Sequence, residues 1–478
     1  MIKFENVIFM RNLNLGNLKL KQFLFYFITP FILILPAIYN GYPLVYSDTG
    51  TYLRSGIELT IPPDRPIMYG LFIQCFDLNF TLWPVIYVQS FFTTFLLWNI
   101  SKVAYPSFSY LKFIIILLPL SFFSGLGWYV SQLMPDIFTF IAIGSLFLLL
   151  FQSKKSILNY VIYSVLLILS VNVHFSNFPI VLLTLFVSFF ILRYYLKSKQ
   201  RTVNFILPIS ILFFSLIIGS LTNLKIGNTA KINQGSHVYL MGKMLDSGVL
   251  KSFLDDKCKN NNYVLCACKD SLPKDNRELL WSYYGPLYKH GGWENSSKEY
   301  TKILTDLLTS PKHLSLVVYN SFTSTLTQLF QNDLGSGLIS EWYRAEDSPP
   351  SIEIKKHYQF ELNQYYQSRQ NGNLWGQELK IDSTNFIYKV LLYLSIFILI
   401  LLFSIKKLST HINDSLKGVI IFLCVSVVSN AFIVASLANI YDRLQARISW
   451  IFIFSILLIF LSCGKKILLE LRHLYTPN

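Results

Sequence analysis

One carboxylate, Asp48, stands out among the residues that could carry out chemistry, because it directly follows a long apolar run. Its neighbours read Tyr46-Ser47-Asp48-Thr49-Gly50-Thr51-Tyr52. Such a carboxylate can accept a proton from an attacking nucleophile, or it can hold a divalent cation, Mg²⁺ or Mn²⁺, against a phosphate. Tyr52 is a candidate substrate contact beside it. The alternative is that Asp48 caps a helix beginning at Thr49, since Asp is a favoured N-cap residue.

Arg65 is the first candidate for binding a phosphate group. It lies in the chain break Pro62-Pro63-Asp64-Arg65-Pro66, after which the sequence becomes apolar again. The planar fork of arginine fits phosphate oxygens. Alternatively, Arg65 anchors the chain at the lipid headgroups.

Three further polar clusters lie where apolar runs begin or end, and they contain Asp136, His174, Arg443 and Arg447. Asp136 is a second candidate catalytic acid, or the charge at a helix N-terminus. His174 is a candidate substrate contact, or part of a hydrogen-bonded turn. The two arginines are candidate phosphate ligands, or Arg443 pairs locally with Asp442.

The elements that must position these residues are transmembrane helices. The chain is 53% hydrophobic and 14% charged, against roughly 25% charged residues in soluble domains. About 20 apolar residues span a bilayer as a helix. The first run follows Lys19 and Lys21 and lacks a small-x-small cleavage site, which favours an uncleaved anchor over a signal peptide. We predict an all-α polytopic membrane protein with about ten spans: 22–40, 80–100, 110–126, 136–152, 157–173, 178–195, 203–222, 386–404, 418–436 and 447–463.

The distribution of charge predicts the orientation of these spans. With both termini inside, the inner segments carry 18 basic residues and three acidic ones, and the other charges balance. An excess of Lys and Arg marks cytoplasmic loops. The candidate residues therefore fall on the outer side. The inner segments are 1–21, 101–112, 153–156, 193–202, 405–417 and 464–478. Because orientation accounts for the basic charge, the charge gives no reason to expect a nucleic-acid partner.

One large outer segment, 223–385, separates the seventh span from the eighth and is long enough for a domain of its own. We therefore divide the chain into an N-terminal membrane module, 1–222, this outer loop domain, and a C-terminal module of three spans, 386–478. Cys258 and Cys266 are the expected disulfide, because the outer side permits one. A zinc site is the weaker alternative, since no His or Cys pair follows at ligand spacing. The moderately apolar stretch 311–331 is expected to form a helix on the membrane or over an outer cavity.

The layout of the first outer loop resembles that of the GT-C superfamily of polytopic glycosyltransferases. The resemblance rests on Asp48 just after the first span and on Arg65-Pro66-Ile67-Met68-Tyr69-Gly70-Leu71-Phe72 leading towards the second. It implies that Asp48 is the catalytic acid of the first loop, that Asp136 is a second acid, and that 223–385 matches a late outer domain. Many members carry Asp-Glu in this loop, whereas Thr49 follows Asp48 here.

The activity implied by this resemblance is transfer of a sugar from a polyprenyl-phosphate donor to a glycan, lipid or protein acceptor. Asp48 would activate the acceptor hydroxyl, the arginines would neutralise the leaving phosphate, and inversion at the anomeric carbon is expected. The location would be a bacterial inner membrane, with the site on the extracytoplasmic face. Alternatives are a glycan polymerase or ligase, a transporter or flippase of a lipid-linked substrate, and a membrane scaffold that displays 223–385. Repeated halves, typical of transporters, are not evident.

Overall fold

The computed structural model describes residues 20–152, 156–195, 205–338, 341–372 and 376–475, and the statements below concern these residues. They form helices and loops without a β-strand; an isolated bridge pairs Leu44 with Gln132. The expected all-α class is confirmed. The basic segments predicted at 1–21, 153–156 and 193–202 lie mostly outside the described residues.

The helices follow one another with short connections in both halves of the chain. The first half contains α1 (Leu20–Leu33), α2 (Leu35–Asn40), α3 (Ser47–Glu58), α4 (Met68–Phe76), α5 (Trp83–Ala104), α6 (Tyr110–Phe122), α7 (Gly125–Val130), α8 (Phe138–Phe151), α9 (Ile157–Val173), α10 (Asn177–Tyr195) and α11 (Ile206–Gly227). The second half contains α12 (Ser236–Asp246), α13 (Val249–Lys257), α14 (Asn276–Trp281), α15 (Pro286–Lys289), α16 (Gly292–Asn295), α17 (Ser297–Thr309), α18 (Pro311–Leu329), α19 (Pro349–His357), α20 (Leu362–Tyr366), α21 (Asp382–Ser404), α22 (Lys406–Ser409), α23 (Asp414–Leu437), α24 (Asp442–Ser449) and α25 (Ile451–Tyr475).

Four helical segments of the described chain are long and apolar enough to cross a membrane, which makes the chain a membrane protein. They are α11, α21, α23 and the segment Asp442–Arg472, which joins α24 to α25. Shorter apolar helices occur at α1, α6, α8, α9 and α10. Helix occurs in the described part of each of the ten predicted runs, although the first run breaks at Ile34, the third at Phe123 and Ser124, and the tenth at Trp450.

Buried apolar side chains form two clusters. The larger one packs the long helices together, from Phe25 to Ile467, and includes residues from the late outer segment between Leu334 and Ile381. The second cluster lies between Val238 and Leu307. The segment expected to form one outer domain, 223–385, thus contributes to two cores. Its first part packs on itself, and its last part packs against the first outer loop.

Backbone pairing brings two distant loops together at one end of the helix bundle. The amide of Leu44 donates to the carbonyl of Ser131 over 2.9 Å, and the amide of Leu133 donates to the carbonyl of Leu44 over 2.8 Å. The Thr49 hydroxyl, in the first turn of α3, donates to the Leu133 carbonyl over 3.1 Å. These bonds hold Asp48 close to Asp136 although 88 positions separate them.

Two glycines allow α3 and α4 to pack with their backbones in contact. A Cβ atom on Gly56 would lie 2.2 Å from the carbonyl oxygen of Gly70, and a Cβ on Gly70 would lie 2.6 Å from the carbonyl oxygen of Tyr52. A side chain at either position would therefore separate the helices. The turn that carries Arg65 connects these helices, so their close approach sets the position of the Arg65 backbone.

The helix predicted at 311–331 is present as α18, which exposes several large apolar side chains and buries several polar ones. His313, Ser321 and Thr325 face the protein, whereas Leu314, Phe322 and Leu326 are exposed. An exposed apolar face of this kind suits contact with lipid. At the other end of α18, the Gln328 side chain donates to the carbonyl of Tyr441 over 2.8 Å and accepts from the Tyr441 amide over 3.1 Å. These bonds fix the start of α24.

Candidate functional site

Asp48 lies in the first turn of α3, with its carboxylate directed at two arginines. Arg65 Nη1 is 3.0 Å from Asp48 Oδ1, and Arg443 Nη1 is 3.5 Å from Asp48 Oδ2. The Asp48 side chain keeps 24% of its surface exposed. The N-cap residue of α3 is Tyr46. The helix-capping alternative for Asp48 is therefore wrong, because the carboxylate pairs with arginines instead.

Arg65 is buried and is held by carboxylates on two sides. Its Nε donates to Asp64 Oδ2 over 3.0 Å, and its Nη2 also contacts that oxygen. Its guanidinium lies over the ring of Tyr52, 5.3 Å from the ring centre. Arg65 therefore does not project towards headgroups, which was the alternative reading of the sequence. Tyr52, expected to contact substrate, is buried beneath this arginine.

α24 supplies the other two arginines, one helical turn apart. Arg443 Nε lies 3.9 Å from Asp136 Oδ1, and Arg447 Nη1 lies 3.5 Å from the same oxygen. Arg443 thus contacts both acids and also stacks on Tyr46, 4.3 Å from its ring centre. The alternative pairing of Arg443 with Asp442 is not found, because Asp442 instead accepts from the amide of Asp333 over 2.9 Å.

Arg447 is fully buried, and most of its hydrogen bonds are to uncharged groups. Its Nη2 donates to Asn430 Oδ1 over 3.0 Å and to the Ser176 hydroxyl over 3.2 Å. The Ser176 hydroxyl is also 2.8 Å from His174 Nδ1. His174 therefore belongs to a hydrogen-bonded turn, as the simpler reading of the sequence expects, and that turn contacts the cluster through Ser176.

Opposing effects of burial and charge act on the titratable groups of this cluster. Burial by itself raises the pKa of Asp48, but the charges of Arg65 and Arg443 outweigh burial and hold that pKa below its ordinary value. Burial, and then the charges of Arg447 and Arg443, hold the pKa of His174 well below its ordinary value. At neutral pH, Asp48 is therefore an anion and His174 is uncharged.

Several polar atoms of this cluster lack hydrogen-bond partners among the described residues. They include Asp136 Oδ2 and Arg447 Nε, while Arg65 Nη1 and Arg443 Nη1 face Asp48 without hydrogen-bond geometry. Buried polar groups are normally paired. Two of these four atoms belong to the arginines that flank Asp48, and an added anion could use them.

A cation is a poor fit to this arrangement. Asp48 and Asp136 each face two guanidinium groups, which occupy the sides from which a metal would approach. Over the part of the chain that the structure describes, three or more His, Cys, Asp or Glu side chains do not converge anywhere. Two guanidinium groups thus lie beside Asp48, where the sequence suggested Mg²⁺ or Mn²⁺.

A largely apolar cavity of about 240 Å³ begins one residue after Arg65. Pro66 and Met68 form one side, Phe175 and Pro179 a second, and Leu216 of α11 a third. The polar exceptions include Asn172, whose amide nitrogen donates to the carbonyl of Ser215 over 3.0 Å. The cavity is thus an apolar space beside the charged cluster.

Five of the residues singled out in the sequence meet in this cluster, here called the ion cluster: Asp48, Arg65, Asp136, Arg443 and Arg447. The disulfide between Cys258 and Cys266 is present, with the Cα atoms 5.6 Å apart, in the outer unit with its own core. Sequence reasoning assigned no role to Asp64, Ser176 or Asn430. The available signal for Asn430 was an amide within an otherwise apolar run.

No family model, curated protein or solved structure matches the chain.

Proposed function

We propose that the protein is a membrane glycosyltransferase that moves a sugar from a polyprenyl-phosphate donor to an acceptor hydroxyl. The observation that carries the proposal is the partly exposed carboxylate of Asp48 between two arginines, the buried Arg65 and the partly exposed Arg443. A base and phosphate-binding groups within a few ångströms of each other are what such a transfer requires.

The proposed membrane arrangement has ten spans with both termini in the cytoplasm. The support is the concentration of Lys and Arg in the inner segments. The helix ends also fall into two groups. Asp48, Asp136 and Arg443 meet at one end, while at the other the side chain of Asn413 contacts the carbonyl of Ala104 and His411 pairs with Glu470. The site then faces outward, from a membrane proposed to be a bacterial inner membrane.

The protein binds the phosphate of the donor and the isoprenoid tail of the donor at two separate places. Arg65 and Arg443 bind the phosphate, because both flank the partly exposed carboxylate of Asp48. The isoprenoid tail enters the apolar cavity that begins at Pro66 and is lined by Phe175 and Leu216. Arg447 is completely buried, so its role is to position Asp136 and Arg443.

Transfer is a single displacement at the anomeric carbon. The acceptor oxygen forms a bond to that carbon as the carbon–oxygen bond to the phosphate breaks, and the hydroxyl proton moves to Asp48. The configuration at the anomeric carbon inverts. The leaving phosphate keeps the electron pair and is stabilised by the guanidinium groups. No step passes through a metal ion.

The arginines also adjust the basicity of Asp48 during the reaction. In the free protein they lower its pKa, which makes it a weak base. A bound phosphate shares the positive charge of Arg65 and Arg443 and so weakens their hold on Asp48. The pKa of Asp48 then rises towards the range in which a carboxylate accepts a proton efficiently.

The test is transfer by the Asp48→Asn variant in membranes supplied with labelled lipid-linked sugars. We expect a loss of roughly 10²–10⁴-fold, the usual contribution of a general base. Asp382→Asn is the matched control, since this exposed acid at the start of α21 lies outside the ion cluster. Full transfer by Asp48→Asn would rule out the proposed role. Loss by both variants would point to general damage.

A further inference from the structure

A second cavity opens on the other side of Arg65, between the first outer loop and the outer unit with its own core. Its volume is about 500 Å³. One wall is the polar face of α3, and the opposite wall consists of aromatic side chains from 281–293. The segment that ends at Asp64 joins the two walls. We call this cavity the aromatic cleft.

The aromatic wall is rigid at its base and open at its rim. Trp293 is 7% exposed, and its ring centre lies 5.5 Å from that of Trp281 and 5.4 Å from that of Tyr239. A Cβ atom on Gly235 would lie 2.9 Å from the Trp293 ring, so the backbone itself packs against this indole. Trp281, in contrast, exposes 52% of its surface. Trp281 is therefore an exposed ring that packs against the buried ring of Trp293.

The opposite wall carries hydrogen-bond donors and acceptors, including one positively and one negatively charged side chain. Thr51, Arg54, Ser55 and Glu58 follow one another along one face of α3. Glu58 pairs with Lys356 at the rim over 2.7 Å, so its charge is partly balanced. Donors and acceptors facing an aromatic plate provide stacking for apolar ring faces and hydrogen bonds for hydroxyl groups.

The aromatic cleft leads directly to the ion cluster. Asp64 lines the cleft, and its carboxylate also pairs with Arg65. Arg65 in turn contacts Asp48. The Tyr239 hydroxyl donates to the Asp64 carbonyl over 3.1 Å, which ties the aromatic wall to the same turn. A chain molecule in the cleft would have one end at Asp64, which Arg65 connects to Asp48.

From this arrangement we infer that the aromatic cleft binds a saccharide chain, the acceptor of the transfer reaction. The inference rests on the proposed function, because it assigns the donor and the acceptor to opposite sides of Arg65. A sugar ring has apolar faces for Trp281 and hydroxyl groups for Arg54 and Glu58. A lipid tail would leave this charged wall unpaired, and Asp64 and Glu58 disfavour a polyanion.

The experiment measures binding of glycans without turnover. Purified protein in nanodiscs is applied to an array of envelope oligosaccharides, and titrations with the retained glycans follow tryptophan fluorescence. We expect Trp281→Ala to raise Kd about tenfold or more relative to wild type, as truncation of a central aromatic contact does. Glu58→Gln should weaken binding by a smaller factor.

The matched control is Tyr284→Ala, which removes a neighbouring aromatic ring that is 81% exposed and does not line the cleft. Its Kd should equal that of wild type. Failure of the wild-type protein to retain any glycan overturns the inference, as does binding that Trp281→Ala leaves unchanged. Quenching of Trp281 by brominated lipids would place its ring in the bilayer interface and would also overturn it.

The binding measurement separates this inference from the proposed function. If glycans bind at the cleft but labelled sugar is never transferred by wild type, the cleft assignment stands and the transferase proposal fails. If transfer depends on Asp48 while Trp281→Ala leaves glycan binding unchanged, the transferase proposal stands and the acceptor enters elsewhere.

Discussion

Glu361 and Asp48 are both carboxylates at junctions of outer loops, but their partners are of opposite kinds. Glu361 accepts hydrogen bonds from the Tyr42 hydroxyl over 2.9 Å, from the amide of Leu82 over 3.1 Å and from the Thr81 hydroxyl. All of these donors are uncharged. Asp48 faces two guanidinium groups and remains partly exposed. The oxygens of Glu361 are occupied by hydrogen bonds within the protein. The carboxylate of Asp48 can still receive a ligand.

The difference shows what distinguishes a structural acid from a candidate catalytic one in this protein. Burial does not, since Glu361 and Asp136 are both buried. The kind of partner does. The neutral donors around Glu361 are two hydroxyls and one backbone amide, which carry no charge to share, whereas long arginine side chains can share their charge between a carboxylate and an arriving phosphate. The predictions below concern these two kinds of pairing.

The largest expected effect is on stability, from Arg447→Met. The substitution leaves Asp136 with only the more distant Arg443, and it removes the bonds to Asn430 and Ser176. Removing one partner of a buried ion pair costs about 3 kcal/mol or more. We expect a correspondingly lower free energy of unfolding in detergent titrations.

Lys466→Met is the control for this substitution, since an exposed lysine on the same helical segment should change stability by less than about 0.5 kcal/mol. Adding Asp136→Asn to Arg447→Met should restore part of the loss, because the acid is then no longer charged. Equal stability of Arg447→Met and wild type would show that the buried pair contributes nothing.

Glu361→Gln tests the structural side of the comparison. The new side chain has one accepting oxygen and one donating NH2 group, so it cannot accept from all three donors that meet Glu361, and about 1–3 kcal/mol of stability should be lost. Transfer activity per folded molecule should stay unchanged, the reverse of the result expected for Asp48→Asn. Glu346→Gln serves as control, because that exposed acid pairs only with Lys355 at the surface. A Glu361→Gln protein that is stable but inactive would contradict the comparison.

The sequence predicted that the members of the ion cluster share one face of the membrane, because transmembrane helices bring their ends to common depths. Once apolar runs and basic loops are assigned, Asp48, Asp136 and Arg443 must lie at the same face, whichever way they point. The pairings themselves need the folded structure. Asn430 reaches Arg447 only because α23 and α24 pack together, and Asp64 was read as part of a chain break rather than as a partner of Arg65.

The division of 223–385 between two cores also could not be predicted from the sequence. Both parts have similar polarity, and the disulfide lies in only one of them. The part between Leu334 and Ile381 joins the main core through residues such as Gln370, whose side chain donates to the Val45 carbonyl over 2.7 Å and accepts from the Val45 amide over 3.0 Å. A glutamine gives no signal of such a role, because its partners are backbone groups of a loop more than 300 residues away.

The smallest expected effect is the pH dependence contributed by His174. The pKa of His174 is lowered in the folded protein. The imidazole therefore binds a proton near pH 6.5 in the unfolded chain but not in the folded one. Wild type should therefore lose stability as the pH falls below about 6.5, until the lower folded pKa is reached. His174→Asn, which keeps an acceptor for Ser176, should lose less over the same range, while the two proteins differ little in slope at pH 7–8. Thermal unfolding in detergent at a series of pH values measures the difference. Parallel curves for the two proteins would mean that burial and the charges of Arg447 and Arg443 do not hold His174 neutral in the folded protein.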